Sequence, residues 1–132
     1  MSSHTAAPRV LVIDDHAPVR VSLCETLSDA GYAVTGACDG AEGVEILRNL
    51  RADAVVIDIY MPRQDGFETI RKLRRVVPGL KIIAMSGGSR GGFDPLKAAE
   101  LLGVDRALRK PFGSAEVVSA LMDLLPYEPR VQ

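Results

Sequence analysis

The sequence predicts an α/β domain: a five-stranded parallel sheet, doubly wound, with helices on both faces in a three-layer sandwich. Three observations lead there. Short, nearly all-apolar runs recur without polar alternation, as in strands covered on both faces. Longer stretches between them carry one apolar stripe at helical spacing. The strand–helix order repeats five times, which implies parallel pairing through right-handed crossovers.

The first strand is Val10-Leu11-Val12-Ile13, ending in Asp14-Asp15. Val19, Leu23, Leu27 and Ala30 then share one helical face, and Gly31 stops that helix. Residues 33–37 form a weaker strand. Asp39 caps the second helix, with Glu42 three residues later, and this helix runs to about Leu50. Ala54-Val55-Val56-Ile57 is the third strand and ends in Asp58. Asp65-Gly66-Phe67-Glu68 repeats the capping form and opens a helix to Val77, before Pro78-Gly79. The fourth strand covers residues 80–85 and ends in Ser86. Asp94-Pro95 places a cap before a first-turn proline. Residues 106–109 form the fifth, weaker strand. Ser114 caps a last helix carrying Val117, Leu121 and Leu124, which stops at Pro126. The domain is therefore expected over residues 9–125, with frayed tails at 1–8 and 126–132.

Composition narrows the function. The 132 residues suffice for one domain. Apolar residues make up 47% and charged residues 25%, the balance of a folded globular chain. Sixteen basic against seventeen acidic residues leave a formal charge of −1, so bulk charge argues for neither nucleic acid nor a membrane surface. Apolar runs of only four or five residues exclude a membrane-spanning helix. The first residues lack the basic and apolar regions of a secretory signal. The two cysteines, Cys24 and Cys38, are expected to be reduced and semi-buried in a cytoplasmic protein.

In a doubly wound sheet the chemistry gathers at the carboxyl ends of the strands. Those ends carry Asp14, Asp15, Asp58, Ser86 and Lys110. Asp14 and Asp15 alone read equally well as loop carboxylates; with the other three they converge on one edge. Three carboxylates in one site repel one another and call for positive charge. Mg²⁺ suits an all-oxygen site, and Lys110 adds a fixed cation. Cation, lysine and hydroxyl together are what a transferring phosphoryl group requires, and a carboxylate among them can form an aspartyl phosphate.

The motifs Val10-Leu11-Val12-Ile13-Asp14-Asp15, Asp58-Ile59-Tyr60-Met61-Pro62 with Asp65-Gly66, Met85-Ser86-Gly87, Gly103-Val104 and Lys110-Pro111-Phe112 agree in order and spacing. Over residues 9–125 the chain resembles the receiver domain of two-component response regulators. The resemblance implies a flavodoxin-like sheet of order 2-1-3-4-5 in a bacterial, cytoplasmic signalling protein. It implies Asp58 as phosphoacceptor, served by a sensor histidine kinase or phosphotransfer protein. Asp14, Asp15 and Asp58 would hold Mg²⁺ with the backbone carbonyl of Tyr60. Ser86 would be the switch hydroxyl, beside Gly87, and Lys110 the ion-pair partner of the phosphoryl oxygens. A cis Lys110–Pro111 bond is also implied. With the chain ending soon after the fifth helix, a stand-alone receiver is expected. Its output would be a target protein on the face of helix four, strand five and helix five, without direct nucleic-acid or membrane contact, as a monomer or weak homodimer.

Several features depart from that pattern or lie beside it. Ala107 stands where receivers commonly carry a switch aromatic. Residues 87–93 are glycine-rich but lack the lysine and spacing of a phosphate-binding loop. They read as a flexible loop, or as an element that orders with Phe93 in place of the aromatic. Tyr60 either faces solvent or shields the acyl phosphate. Arg71, Lys72, Arg74 and Arg75 read as a solvated helix face, and His16 as a turn or cap residue. Two other functions compete. One is a receiver-like adaptor that works without phosphorylation. The other is an aspartyl-phosphate phosphatase, for which no aspartate has the second carboxylate two residues on.

Overall fold

A computed structural model of the protein describes residues 6–61, 64–87 and 94–126, with backbone alone at 60, 61, 64 and 65. The elements are β1 (Arg9–Ile13), α1 (Ala17–Asp29), β2 (Ala33–Ala37), α2 (Gly40–Asn49), β3 (Ala54–Asp58), β4 (Tyr60–Met61), β5 (Gln64–Asp65), α3 (Gly66–Val76), β6 (Lys81–Ser86), α4 (Pro95–Leu101), β7 (Arg106–Arg109) and α5 (Ser114–Leu124). The main sheet has the order β2-β1-β3-β6-β7 and every pairing in it is parallel. This is the flavodoxin-type order, with β1 and β3 at the centre, where the winding reverses.

Strand alternation sends successive side chains to opposite layers. Val10, Val12, Val56 and Met85 pack under α1 and α5, against Leu23, Leu27, Val117 and Leu121. Leu11, Ile13, Ile57 and Ile82 face the other way, against Val44 and Leu47 of α2, Ile70 and Leu73 of α3, and Leu96 of α4. Residues 10–13, 54–57 and 82–85 of the central strands are therefore apolar at every position, because both faces are core.

Caps set the helix ends. Asp39 Oδ1 accepts from the Glu42 amide at 2.8 Å, and Glu42 Oε1 accepts from the Cys38 amide. Asp94 Oδ1 accepts from the Leu96 amide at 3.1 Å. Gly31 follows α1 with φ +103°, a backbone state that only glycine adopts without strain. At α5 the cap is Gly113 rather than Ser114, which is the first helical residue. The Glu116 carboxylate accepts from the Gly113 amide at 3.1 Å and makes a hydroxyl cap unnecessary.

Other expectations need correction. The hairpin β4–β5, pairing Tyr60 with Asp65 and Met61 with Gln64, was not foreseen. Two-residue strands are too short to show a period. Cys38 is exposed, not semi-buried, because it sits in the turn after β2; Cys24 is half-buried and both thiols are free. Arg74 is not simply solvated. Its Nη2 donates to Gly103 O at 3.0 Å and to Asp105 Oδ2 at 3.1 Å, tying α3 to the turn before β7. Asp105 Oδ2 also accepts from the Ile82 amide at 2.8 Å, so one carboxylate closes the amino edge of two strands. The expected tails at residues 1–5 and 127–132 and the glycine-rich segment 88–93 lie outside the described residues. Among the described residues no helix is long and apolar enough to cross a membrane.

Candidate functional site

The carboxyl edge of the sheet brings the predicted groups together. Asp14 follows β1 and is fully buried, whereas Asp15, one residue on, is exposed. Asp14 is held at several atoms. Its amide donates to Ala37 O at 3.1 Å, and its Oδ1 accepts from the His16 amide at 2.9 Å. Oδ2 is buried and receives no hydrogen bond. His16 is thus the cap position of α1, with no side-chain cap bond.

Asp58 ends β3 opposite Met85 of β6 and is 6% exposed. Lys110 follows β7, which pairs Arg109 with the buried Ser86. The Lys110 amide donates to Ser86 O at 2.8 Å, fixing the base of its side chain. Its Nζ then lies 2.9 Å from Asp58 Oδ2 and 3.5 Å from Asp14 Oδ2. The Lys110–Pro111 peptide is cis. Gly87 is exposed and uncrowded. The Tyr60 ring lies outside the described side chains. Beside Lys110, a cleft of about 540 Å³ opens between α1 and α5, lined by Pro18, Val19, Leu23, Pro111, Phe112 and Val117.

One oxygen each from Asp14, Asp15 and Asp58 lie within 4.8 Å of one another. Burial pushes the Asp14 carboxyl above the ordinary range, more than the His16 amide and Lys110 pull it down. Burial alone would lower Lys110, but its hydrogen bond to Asp58 and the charges of Asp58 and Asp14 prevail and raise it. The ammonium therefore stays protonated at neutral pH. The acidic group carries more negative charge than one lysine offsets. An all-oxygen set whose buried Asp14 Oδ2 accepts no hydrogen bond and meets only Lys110, at 3.5 Å, fits a small hard cation such as Mg²⁺.

A sign follows for the metal-free protein. Asp14 is raised in the folded state, so its ionisation costs no stability below the unfolded value of 3.8. The cost builds as pH rises above 3.8 and is complete once pH has passed the shifted value. Asp14→Asn is thus expected to raise the metal-free thermal midpoint at pH 7 by roughly 3–6 °C, an effect of about 1 kcal/mol in a small domain. The gain should vanish at low pH and be reversed by saturating Mg²⁺, which only the carboxylate binds well. Circular-dichroism melts at several pH values check it.

The response regulator receiver domain family matches residues 10–122, over nearly all of the sheet and its helices. The chain belongs to the response regulator receiver domain family. A curated relative, "Response regulator MprA" of Mycobacterium sp. (strain KMS), is 40% identical over 117 residues, covering 89% of this chain and 50% of the relative. The chain thus spans about half the length of the curated relatives it matches. Among solved structures, the chemotaxis protein CheY4 of Vibrio cholerae superposes with a TM-score of 0.82 at 28% identity, covering 91% of this chain and all of that one. A receiver domain protein from Clostridium thermocellum gives 0.81 at 26% identity, covering 89% and 94%.

In this receiver Ala107 pairs with Ala84 and is half-buried against the α2–α3–α4 layer. No ring stands at that point of the edge strand. Arg20 belongs to none of the sequence motifs, and Gly66 enters them only as part of a capping form and a family motif. Arg20 Nη1 donates to Asp14 O at 2.9 Å. Gly66 lies against the backbone of Ile59, the residue after Asp58. For Arg20 a signal existed: Gly36 in the middle of a strand marks a close approach.

Proposed function

We propose that the protein is a phosphorylation-gated signalling module in which Asp58 accepts a phosphoryl group from a histidine kinase or phosphotransfer protein. The observation that carries this is Lys110 Nζ on Asp58 Oδ2 at 2.9 Å, with Asp14 and Asp15 oxygens converging on the same carboxylate. The Asp58 carboxylate attacks the phosphorus of the donor phosphohistidine. The P–N bond breaks and the imidazole leaves, taking a proton from solvent. Lys110 neutralises the charge spread over the equatorial phosphoryl oxygens. Asp14, Asp15, Asp58 and the Tyr60 carbonyl would hold Mg²⁺, which would supply further charge neutralisation. Ser86 and Gly87 close on the phosphoryl oxygens. Water later attacks phosphorus, releasing inorganic phosphate and restoring the carboxylate. The module catalyses its own phosphorylation and dephosphorylation and turns over no separate substrate.

The donor reaches the site through the cleft between α1 and α5. The target docks on the face of α4, β7 and α5. Ion pairs cross that face between Asp94 and Arg109 at 2.9 Å and between Arg106 and Asp123 at 3.1 Å. The module works in the cytoplasm, as a monomer or weak homodimer. Ala107 favours a second reading, an adaptor that keeps the fold without phosphorylation.

Incubation with Mg²⁺ and a small acyl phosphate, followed by intact-protein mass, separates the two. One phosphoryl addition is expected for the wild type, and none for Asp58→Asn or in EDTA. Absence of any addition, from the acyl phosphate and from a phosphorylated histidine kinase alike, selects the adaptor.

A further inference from the structure

Gly36 sits inside β2 although its φ lies outside the left-handed region, so its backbone does not demand glycine. Glycine weakens a strand, and where the backbone does not require it, space does. A Cβ at position 36 would lie 3.3 Å from Arg20 Cδ, 3.4 Å from Arg20 Cγ and 3.3 Å from Cys24 Sγ. The Arg20 stem therefore lies across the bare backbone of the edge strand. From that seat its Nη1 donates to the main-chain oxygen of Asp14 at 2.9 Å.

That oxygen belongs to the peptide joining Asp14 to Asp15. The Asp14 amide is already held by Ala37 O, and its Oδ1 by the His16 amide. The Arg20 bond fixes the remaining plane. The buried and the exposed carboxylate then both turn toward Asp58, leaving Asp14 Oδ2 with only the Lys110 ammonium near it, at 3.5 Å.

We propose that Arg20, lodged over Gly36, is a positioning residue for the cation site: it sets the Asp14–Asp15 peptide so that the acidic pair converges with Asp58. The inference rests on the magnesium-dependent phosphoacceptor reading above. It is separable from a plain charge effect by sign. A guanidinium acting only as a nearby positive charge would oppose a divalent cation, and its removal would tighten binding. A guanidinium acting as an anchor gives weaker binding when removed, as groups that orient metal ligands do.

The test is calorimetric titration with Mg²⁺ of wild type, Arg20→Met, Gly36→Val and the double variant, with metal-free thermal midpoints recorded alongside. Gly36→Val suits an edge strand, keeps the positive charge and fills the seat, pressing on Cys24 Sγ as well as on the Arg20 stem. Each single variant is expected to bind Mg²⁺ about 10-fold more weakly. The double variant is expected to bind no more weakly than either single, because both break the same contact. Equal or tighter binding by Arg20→Met overturns the proposal, and so does a double variant whose losses multiply. Should Arg20→Met melt too low to titrate, Gly36→Val decides alone: wild-type affinity there overturns the proposal. Failure of the wild type itself to bind Mg²⁺ overturns the underlying phosphoacceptor reading instead.

Discussion

Lys110→Met is expected to slow phosphoryl uptake from a small acyl phosphate on the order of 100-fold while tightening Mg²⁺ binding. The two opposite signs come from one atom. Lys110 Nζ lies 2.9 Å from Asp58 Oδ2 and 3.5 Å from Asp14 Oδ2. In the resting protein it partly neutralises the carboxylates that would hold the cation, so its removal leaves them more attractive to Mg²⁺. In the transition state the same ammonium faces the charge on the phosphoryl oxygens, and loss of one such preorganised group costs about 10²–10³ in rate. Methionine keeps the length and apolar stem, and the backbone bond from residue 110 to Ser86 O remains. Mass-detected phosphorylation kinetics and a Mg²⁺ titration check the pair of effects. Parallel loss of both would mean collapse of the site rather than removal of a charge.

Gly66→Ala is expected to destabilise the fold by about 3 kcal/mol, against the helix propensity of alanine, which favours the change by about 1 kcal/mol. A Cβ at position 66 would stand 2.6 Å from Ile59 Cα and 2.7 Å from Ile59 O. Backbone cannot swing aside as a side-chain tip can. The first turn of α3 or the segment after Asp58 must move, so phosphoryl uptake should fall along with stability. Gly43→Ala is the comparison. Its Cβ would meet the Ile13 side-chain tip, so the clash is equally close but the neighbour is flexible. Ile13 is fully buried, which limits its escape, and a cost of about 1 kcal/mol follows. Ile13→Val in the same chain should recover part of that cost, whereas no side-chain truncation should rescue Gly66→Ala. Urea denaturation of the set measures both.

Both predictions turn on residues whose type was legible and whose partners were not. Lys110 was placed at a strand end by periodicity, but its two carboxylate contacts depend on which strands become neighbours. Gly66 was read as part of a capping and family motif, without the reason that a side chain cannot fit there. Ser114 is of a type that caps helices, yet Glu116 reaches the Gly113 amide and takes that role. Arg74 lies in a basic run of surface character, yet it crosses to Asp105, thirty-one positions along the chain. Sequence spacing reports which face of an element is apolar; it does not report which polar tip meets which from another element.

The division has a physical basis. The five strands of the main sheet are legible in the sequence, because apolar runs without alternation have only one stable place, between two layers of helices. The parallel orientation is legible too, because helices intervene between successive strands. Through these the sequence placed Asp14, Asp15, Asp58, Ser86 and Lys110 on one edge. Packing alone divides Asp14 and Asp15, adjacent in the chain, into a fully buried carboxylate facing Lys110 and an exposed one. Only packing brought the Arg20 stem over Gly36 and Gly66 onto Ile59. Those outcomes depend on distances between elements that meet across the sheet edge, and local periodicity carries no information about such distances.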